Sequence, residues 1–241
     1  MPAADVLQWI FGFICIFLLQ AYWPFCMYAP PQFQQHDLSE LTGLIQAHPL
    51  STLVTQSPVG IEANHIPLLW RDDGSPCGVL RGHIAKANAL WQQHDPSTEV
   101  LAVFHGPNAY ISPSWYASKR EHSRIVPTWN YSAVHAYGRL RVMEDAEWLS
   151  SHLEDMTQQL EVNIPEPWAL SDAPPEFVES LLAHIVGIEI LVSHFSGKWK
   201  ISQNQPKGNQ LSVITGLRNC GQSQAEALAE FMQRHLNQLN D

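Results

Sequence analysis

The chain is 241 residues long, 45% hydrophobic and 10% aromatic, and its 13 Lys and Arg against 23 Asp and Glu leave a formal net charge of −10. This composition excludes a disordered chain and suits one large domain or two small ones. The negative field disfavours direct binding of a polyphosphate backbone, since the few cations are scattered and only Lys119, Arg120 and Arg124, then Lys198 and Lys200, are loosely grouped.

The first 26 residues read apart from the rest. Val6 to Phe25 carries no charged residue and, at ~1.5 Å per residue, is long enough to cross roughly 30 Å of hydrocarbon. No Lys or Arg precedes Arg71, however, so the cationic flank of a signal peptide or an oriented anchor is missing. Residues 1–26 are therefore expected to be either an apolar extension ahead of a start at Met27 or an N-terminal membrane anchor, and residues 27–241 a single domain.

After the candidate cap Asp37, Leu38, Leu41, Leu44 and Ile45 recur on one helical face, and Pro49 marks the end. Three antiparallel strands follow: STLVTQ at 51–56, GIEANHIPLLW at 60–70 and the apolar run after the DDGS turn at 72–75. AKANALWQQ predicts a short helix, and EVLAVFHG from Glu99 another strand. TWNYSAVHAYGRLRVME alternates as a long strand. HLEDMTQQLE and PEFVESLLAHIVG have helical spacing, separated by the proline-rich surface loop at 164–177. GIEILVSHFSGKWKIS returns to strand, and Ala227, Leu228, Phe231, Met232 and Leu236 place a helix near the C-terminus. Helices do not alternate one for one with strands, so the pattern is mainly β with helices, an antiparallel barrel with helices at its edges rather than a doubly wound sheet.

Chemistry is concentrated in three stretches. In RGHIAKAN, a strand enters a glycine-bearing turn and a helix, and Lys86, placed in the first helical turn, adds a positive charge to free backbone N–H groups, which makes a phosphate seat. From Phe104 to Leu140, amphipathic rings including Tyr110, Trp115, Tyr116 and Trp129 alternate with Ser112, Thr128 and Asn130, offering flat apolar faces beside donors that suit a planar ring with a polar tail. An interface or a core is the competing reading of the same rings. Lys198, Ser202, Gln203 and Asn204 are dense in donors at a strand-to-loop transition, which suits either contact with a ligand's tail or a tie of the C-terminal segment to the barrel. The four cysteines lack CxxC spacing and the 12 histidines form neither HxH nor HExxH, so no metal site is expected. No P-loop, GxGxxG or GxSxG occurs.

MYAPPQF at 27–33, NHIPLL at 64–69, RGHIAKAN at 81–88, the aromatic segment and KWKISQNQP at 198–206 together resemble the PaiB-like family, described as FMN-binding negative transcriptional regulators, over Met27 to about Arg234. Members begin near a Met-Tyr-x-Pro motif, which Met27, Tyr28 and Pro30 supply. The resemblance implies the FMN-binding split barrel, two barrels paired as a homodimer with flavin sites at the subunit interface. It also implies Arg81, His83, Lys86 and Asn88 at the phosphate and ribityl chain, Asn64 and His65 beneath the ring, and Tyr110, Ser112, Trp115, Tyr116, Thr128, Trp129 and Asn130 closing the pocket, with Lys198, Gln203 and Asn204 at the tail. No general acid or base is assigned. Cysteines without paired spacing suit reduced thiols in a cytoplasmic protein, and the family's label implies a negative regulator; the acidic charge and the lack of a recognisable helix-turn-helix point to a DNA-binding partner or an indirect effect rather than strong direct contact. A flavin-dependent oxidoreductase and a haem-binding or haem-degrading split barrel are the alternatives.

Overall fold

Long strands form where apolar residues alternate with polar ones, and every pairing is antiparallel. β1 (Gln34–Gln35), β2 (Leu50–Ser57), β3 (Gly60–Pro67), β4 (Leu69–Arg71), β5 (Val79–Ala85), β6 (Val100–Ile111), β7 (Thr128–Met143) and β8 (Ile185–Lys200) make one sheet of order β3-β2-β6-β7-β8-β5-β4, with β1 on β8. The computed structural model describes residues 27–120 and 125–238, and the apolar extension expected at 1–26 lies outside them. Among the described residues no helix is long and apolar enough to cross a membrane.

β3 and β4 are the two ends of the strand order, yet only Leu68 separates them in the chain. In a flat sheet these ends would lie roughly 29 Å apart, six spacings of ~4.8 Å, which one residue cannot bridge. The sheet therefore curls until its edges meet. Leu68 is fully buried at that seam and donates its N–H to the Pro49 carbonyl at 2.9 Å. On β5, Gly82 packs against it so closely that an added Cβ would lie 2.7 Å from Leu68 Cδ2 and 2.8 Å from the Pro67 carbonyl oxygen. Leu53, Leu80, Phe104, Val134 and Ile188 fill the interior. The single strand expected over 60–70 is thus two strands on opposite edges, because Leu68 turns the corner of the barrel.

Among the described residues six α-helices surround this sheet: α1 (Leu38–Ala47), α2 (Leu90–Gln93), α3 (Ala146–Glu161), α4 (Pro175–Leu182), α5 (Lys207–Asn219) and α6 (Ser223–Gln238). Asp37 caps α1 by accepting from Ser39 N at 2.8 Å and Glu40 N at 3.4 Å, and Leu41, Leu44 and Ile45 are buried as expected. α5, which the sequence pattern did not predict, packs Val213, Ile214 and Leu217 into the same core as Leu228, Ala229 and Met232 of α6. Trp199 of β8 closes that end, edge-on to Phe231 and donating Nε1 to His235 Nε2 at 3.0 Å.

α3 lies against the outward face of β5 and β8. Arg71 reaches Asp155 at 3.3 Å and Gln159 at 3.0 Å, Trp148 stacks on His152, and His152 Nε2 is 3.3 Å from His83 Nδ1. Burial, helped by the neighbouring His83 and opposed by Asp155, pushes His152 down to about 4, and burial lowers His83 as well. Both imidazoles are therefore neutral in the fold near pH 7, where one donates to the other.

Gly82→Ala should destabilise the protein by about 1–3 kcal/mol in urea denaturation, because the new methyl meets the backbone of the seam as well as a side chain. The histidine pair sets a pH dependence. Between about pH 4 and 6.5 the unfolded chain binds a proton that folded His152 refuses, so stability is full above pH 6.5 and falls as pH drops towards 4. Thermal melts of His152→Leu should show a shallower loss between pH 7 and 4.5 than the unaltered protein; an unchanged pH slope would count against this role.

Candidate functional site

The expected ligand residues fall into distinct places. Asn64 of β3 and Asn88 in the turn after β5 meet directly, Asn88 Nδ2 donating to Asn64 Oδ1 at 2.8 Å, while Asn88 Oδ1 accepts Leu90 N at 3.0 Å. Lys86 is exposed beside them. Its place differs from the expected first helical turn: it precedes α2, whose N-terminal cap is Ala89, and its backbone N–H already donates to the His184 carbonyl at 2.8 Å. α2 is a single turn of four residues. What remains available here is the Lys86 ammonium, not a fan of helix N–H groups. His65 is exposed on β3 with Nδ1 3.2 Å from Thr52 Oγ1.

Arg81 and His83 point elsewhere, because alternate residues of β5 face outward towards α3. Arg81 pairs with the buried carboxylate of Glu189 at 2.9 Å and lies over the Trp148 ring, and His83 is committed to His152. These two expected phosphate ligands serve to dock α3.

The aromatic segment divides between surface and core. β6 continues past Gly106 and Pro107 through a bulge, so Tyr110 lies within a strand, cross-paired with Trp129 of β7. Their rings meet edge to face at 6.2 Å and remain 47% and 56% exposed. Together with Ser112, Trp115 and the start of α6 they border a cavity of about 380 Å³. Trp115 packs over Gly216 of α5, where any Cβ would strike its indole. Tyr116 and Asn130, by contrast, are buried. Asn130 donates to Ser202 Oγ at 2.8 Å and touches Met232 Sδ at 3.7 Å.

A second cavity, of about 420 Å³, opens between the start of β7 and the loop from β8 into α5. It gathers the expected Tyr116, Thr128, Asn130 and Asn204. It also contains residues that the sequence did not single out as ligands, notably Lys200 and Asn209. The alternation of β8 was the available signal for Lys200, since it shares a strand face with Lys198. Lys200 Nζ donates to Thr128 Oγ1 and to the Trp129 carbonyl, and burial, with a contribution from Lys198, pushes it below the usual lysine range. Lys198 is buried, donates to the Tyr28 carbonyl at 2.8 Å and lies between the Tyr28 and Tyr131 rings. Gln203 turns back on the chain, bonding the Trp199 carbonyl and Ile201 N.

Within one chain these groups do not converge. Asn64 shares a sheet row with Leu53 and Ala102, whereas Trp129 pairs with Tyr110, eight residues further along β6. That is roughly 26 Å of strand at ~3.3 Å per residue, longer than one mononucleotide.

A family model described as "Putative FMN-binding domain" matches residues 27–194. The chain is 35% identical to the protease synthase and sporulation protein PAI 2 of Bacillus subtilis, over 87% of this chain and 98% of that one. It is also 35% identical to an uncharacterised protein of Emericella nidulans, over 86% of this chain and 96% of that one. Among solved structures it is similar to the flavocytochrome Anf3 of Azotobacter vinelandii (TM-score 0.53, 14% identity, 69% of each chain). It is likewise similar to an FAD and heme binding protein of Mycobacterium smegmatis (TM-score 0.51, 14% identity, 76% of this chain and 80% of that one). The fold relatives are flavin-binding split barrels, the architecture expected from sequence.

The buried and exposed residues of this segment should separate in denaturation experiments. Asn130→Ala leaves the buried Ser202 hydroxyl without its donor and should cost about 1–3 kcal/mol, whereas Trp129→Ala, more than half exposed, should stay within about 0.5 kcal/mol of the unaltered protein.

Proposed function

The chain belongs to the FMN-binding domain family that includes the B. subtilis PAI 2 protein, and from that premise we propose that two copies of it together bind FMN. The open edge-to-face pair of Tyr110 and Trp129 carries this reading: two large rings left in solvent beside a cavity are a platform for a planar ligand. Lys86 would hold the phosphate, with Asn64 and Asn88 at the polar chain. Bound flavin would supply redox chemistry at its ring system. Because the ammonium and the rings lie at different ends of the barrel, one flavin draws on both only across two chains.

The outward face of the sheet supports such pairing. Leu50 and Ile61 on β2 and β3 are 64% and 76% exposed, and His135 on β7 carries an Nδ1 that is buried without a partner, its imidazole kept neutral by burial and by nearby His105 and Lys198. A second copy laid on this face would cover the apolar residues and offer His135 an acceptor or donor.

A regulatory role, read from the family label, fits an indirect mechanism better than direct operator binding. α5 and α6 are joined by a short turn through Gly221, as in a helix-turn-helix, but α6 carries Glu226 and Glu230 against Arg234 and buries its apolar face in the core. The face such a helix leaves exposed carries those carboxylates and repels phosphate. On this reading the protein works in the cytoplasm and signals ligand or redox state to a DNA-binding partner.

Absorption spectra of residues 27–241 titrated with FMN, alongside light scattering, test the proposal. Flavin bands, a dimer and at least tenfold weaker binding by Lys86→Ala are expected, the loss of a charge-assisted contact of about 1.5–3 kcal/mol. A Soret band without flavin would favour haem, and a monomer that binds FMN normally would remove the shared site.

A further inference from the structure

The cavity between β7 and the β8–α5 loop has a chemistry of its own. Among the described residues none of its lining is acidic, although acidic residues outnumber basic ones in the chain by 23 to 13. Lys200 is its cation. Two of the three ammonium donors are taken by neutral oxygens, Thr128 Oγ1 and the Trp129 carbonyl, and among the described residues no carboxylate pairs with it. Half-burial lowers its pKa, which is the signature of a charge that lacks compensation. Neighbouring Lys198 makes the local potential more positive rather than less.

The rest of the wall is built around that charge. Ser202 holds a left-handed backbone, φ 64°, alone among the described residues other than glycine, and it is buried with its hydroxyl fixed by Asn130. Strain of this kind persists only where the surroundings enforce it, and it gathers at ligand sites. Asn209, also buried, is held by Ser118, whose N–H donates to its Oδ1 at 3.0 Å and whose hydroxyl accepts from its Nδ2 at 2.9 Å. Tyr116 and Ile125 supply apolar wall. Among the described residues the result is a preformed cleft of about 420 Å³ with one uncompensated cation, oriented amides and hydroxyls, and an apolar side.

We propose that this cleft is a binding site for a small organic anion, a carboxylate on an apolar body, with Lys200 as its counter-ion. The carboxylate would take the remaining ammonium donor, and the apolar body would lie along Tyr116 and Ile125. The site is separate from the flavin contacts at Lys86 and is present in a single chain, so it does not depend on the flavin reading.

Benzoate and benzamide, matched in shape and differing in charge, are the probes. In nitrogen-15 NMR titrations of the flavin-free protein, benzoate should shift the amides of Thr128 and of Lys200 to Asn204 saturably at millimolar concentration and bind about tenfold or more tightly than benzamide. Lys200→Met should bring benzoate down to the benzamide level. If that variant does not fold, the comparison of the two probes on the unaltered chain decides. Equal binding of both, no saturable shift, or shifts confined to other cations would overturn the proposal. So would competition between FMN and benzoate, which would make the cleft part of the flavin site.

Discussion

One residue, Leu68, joins the two edges of the sheet, and the rest of the molecule follows from that closure. Because β3 and β4 must meet at the seam, β5 is brought against β3 and Gly82 against Leu68. The contact between Asn64 and Asn88 is a direct consequence, since it joins β3 to the turn leaving β5 across the same closure. Had the sheet stayed open, those two amides would lie at opposite edges and Lys86 would have no polar neighbours from another strand.

Closure also leaves two kinds of outward surface. Over β5 and β8, α3 covers the sheet with a network of Arg71, Arg81, Glu189, His83 and His152, so charged and titratable groups there are consumed in packing. On β2 and β3, apolar side chains such as Leu50 and Ile61 remain open. Buried charge pairs contribute little net stability compared with apolar packing, but they fix how α3 seats. The outward side chains of β2 and β3, unlike those under α3, are left exposed.

The split between these surfaces explains which candidate residues were legible. Tyr110 and Trp129 were identifiable as surface rings because large aromatics amid Ser, Asn and Pro are rarely all core, and they are exposed. Tyr116 and Asn130, from the same stretch, are buried, since β7 sends alternate residues inward and a neighbouring loop folds over them. Arg81 and His83 shared a motif with Lys86, yet residues two apart on a strand leave by the same face, and that face is owned by α3. Sequence proximity grouped residues that the pleat and the turn then separated. Lys200 and Asn209 were missed for the reverse reason: the cleft they share is formed by segments over seventy residues from Thr128, and no local pattern records that approach.

The sequence by itself determined the strand and helix periodicity, the antiparallel class, the cap at Asp37, the acidic charge and the family whose motifs run through the chain. These depend on neighbours a few residues away, where alternation, capping and turn chemistry act. Only the tertiary structure decided that residues 60–70 turn a corner, which face each strand shows to solvent, and whether Lys86 or Arg81 keeps a free charge. Those outcomes depend on which distant strand or helix covers a face, a competition among long-range burials that local periodicity does not encode.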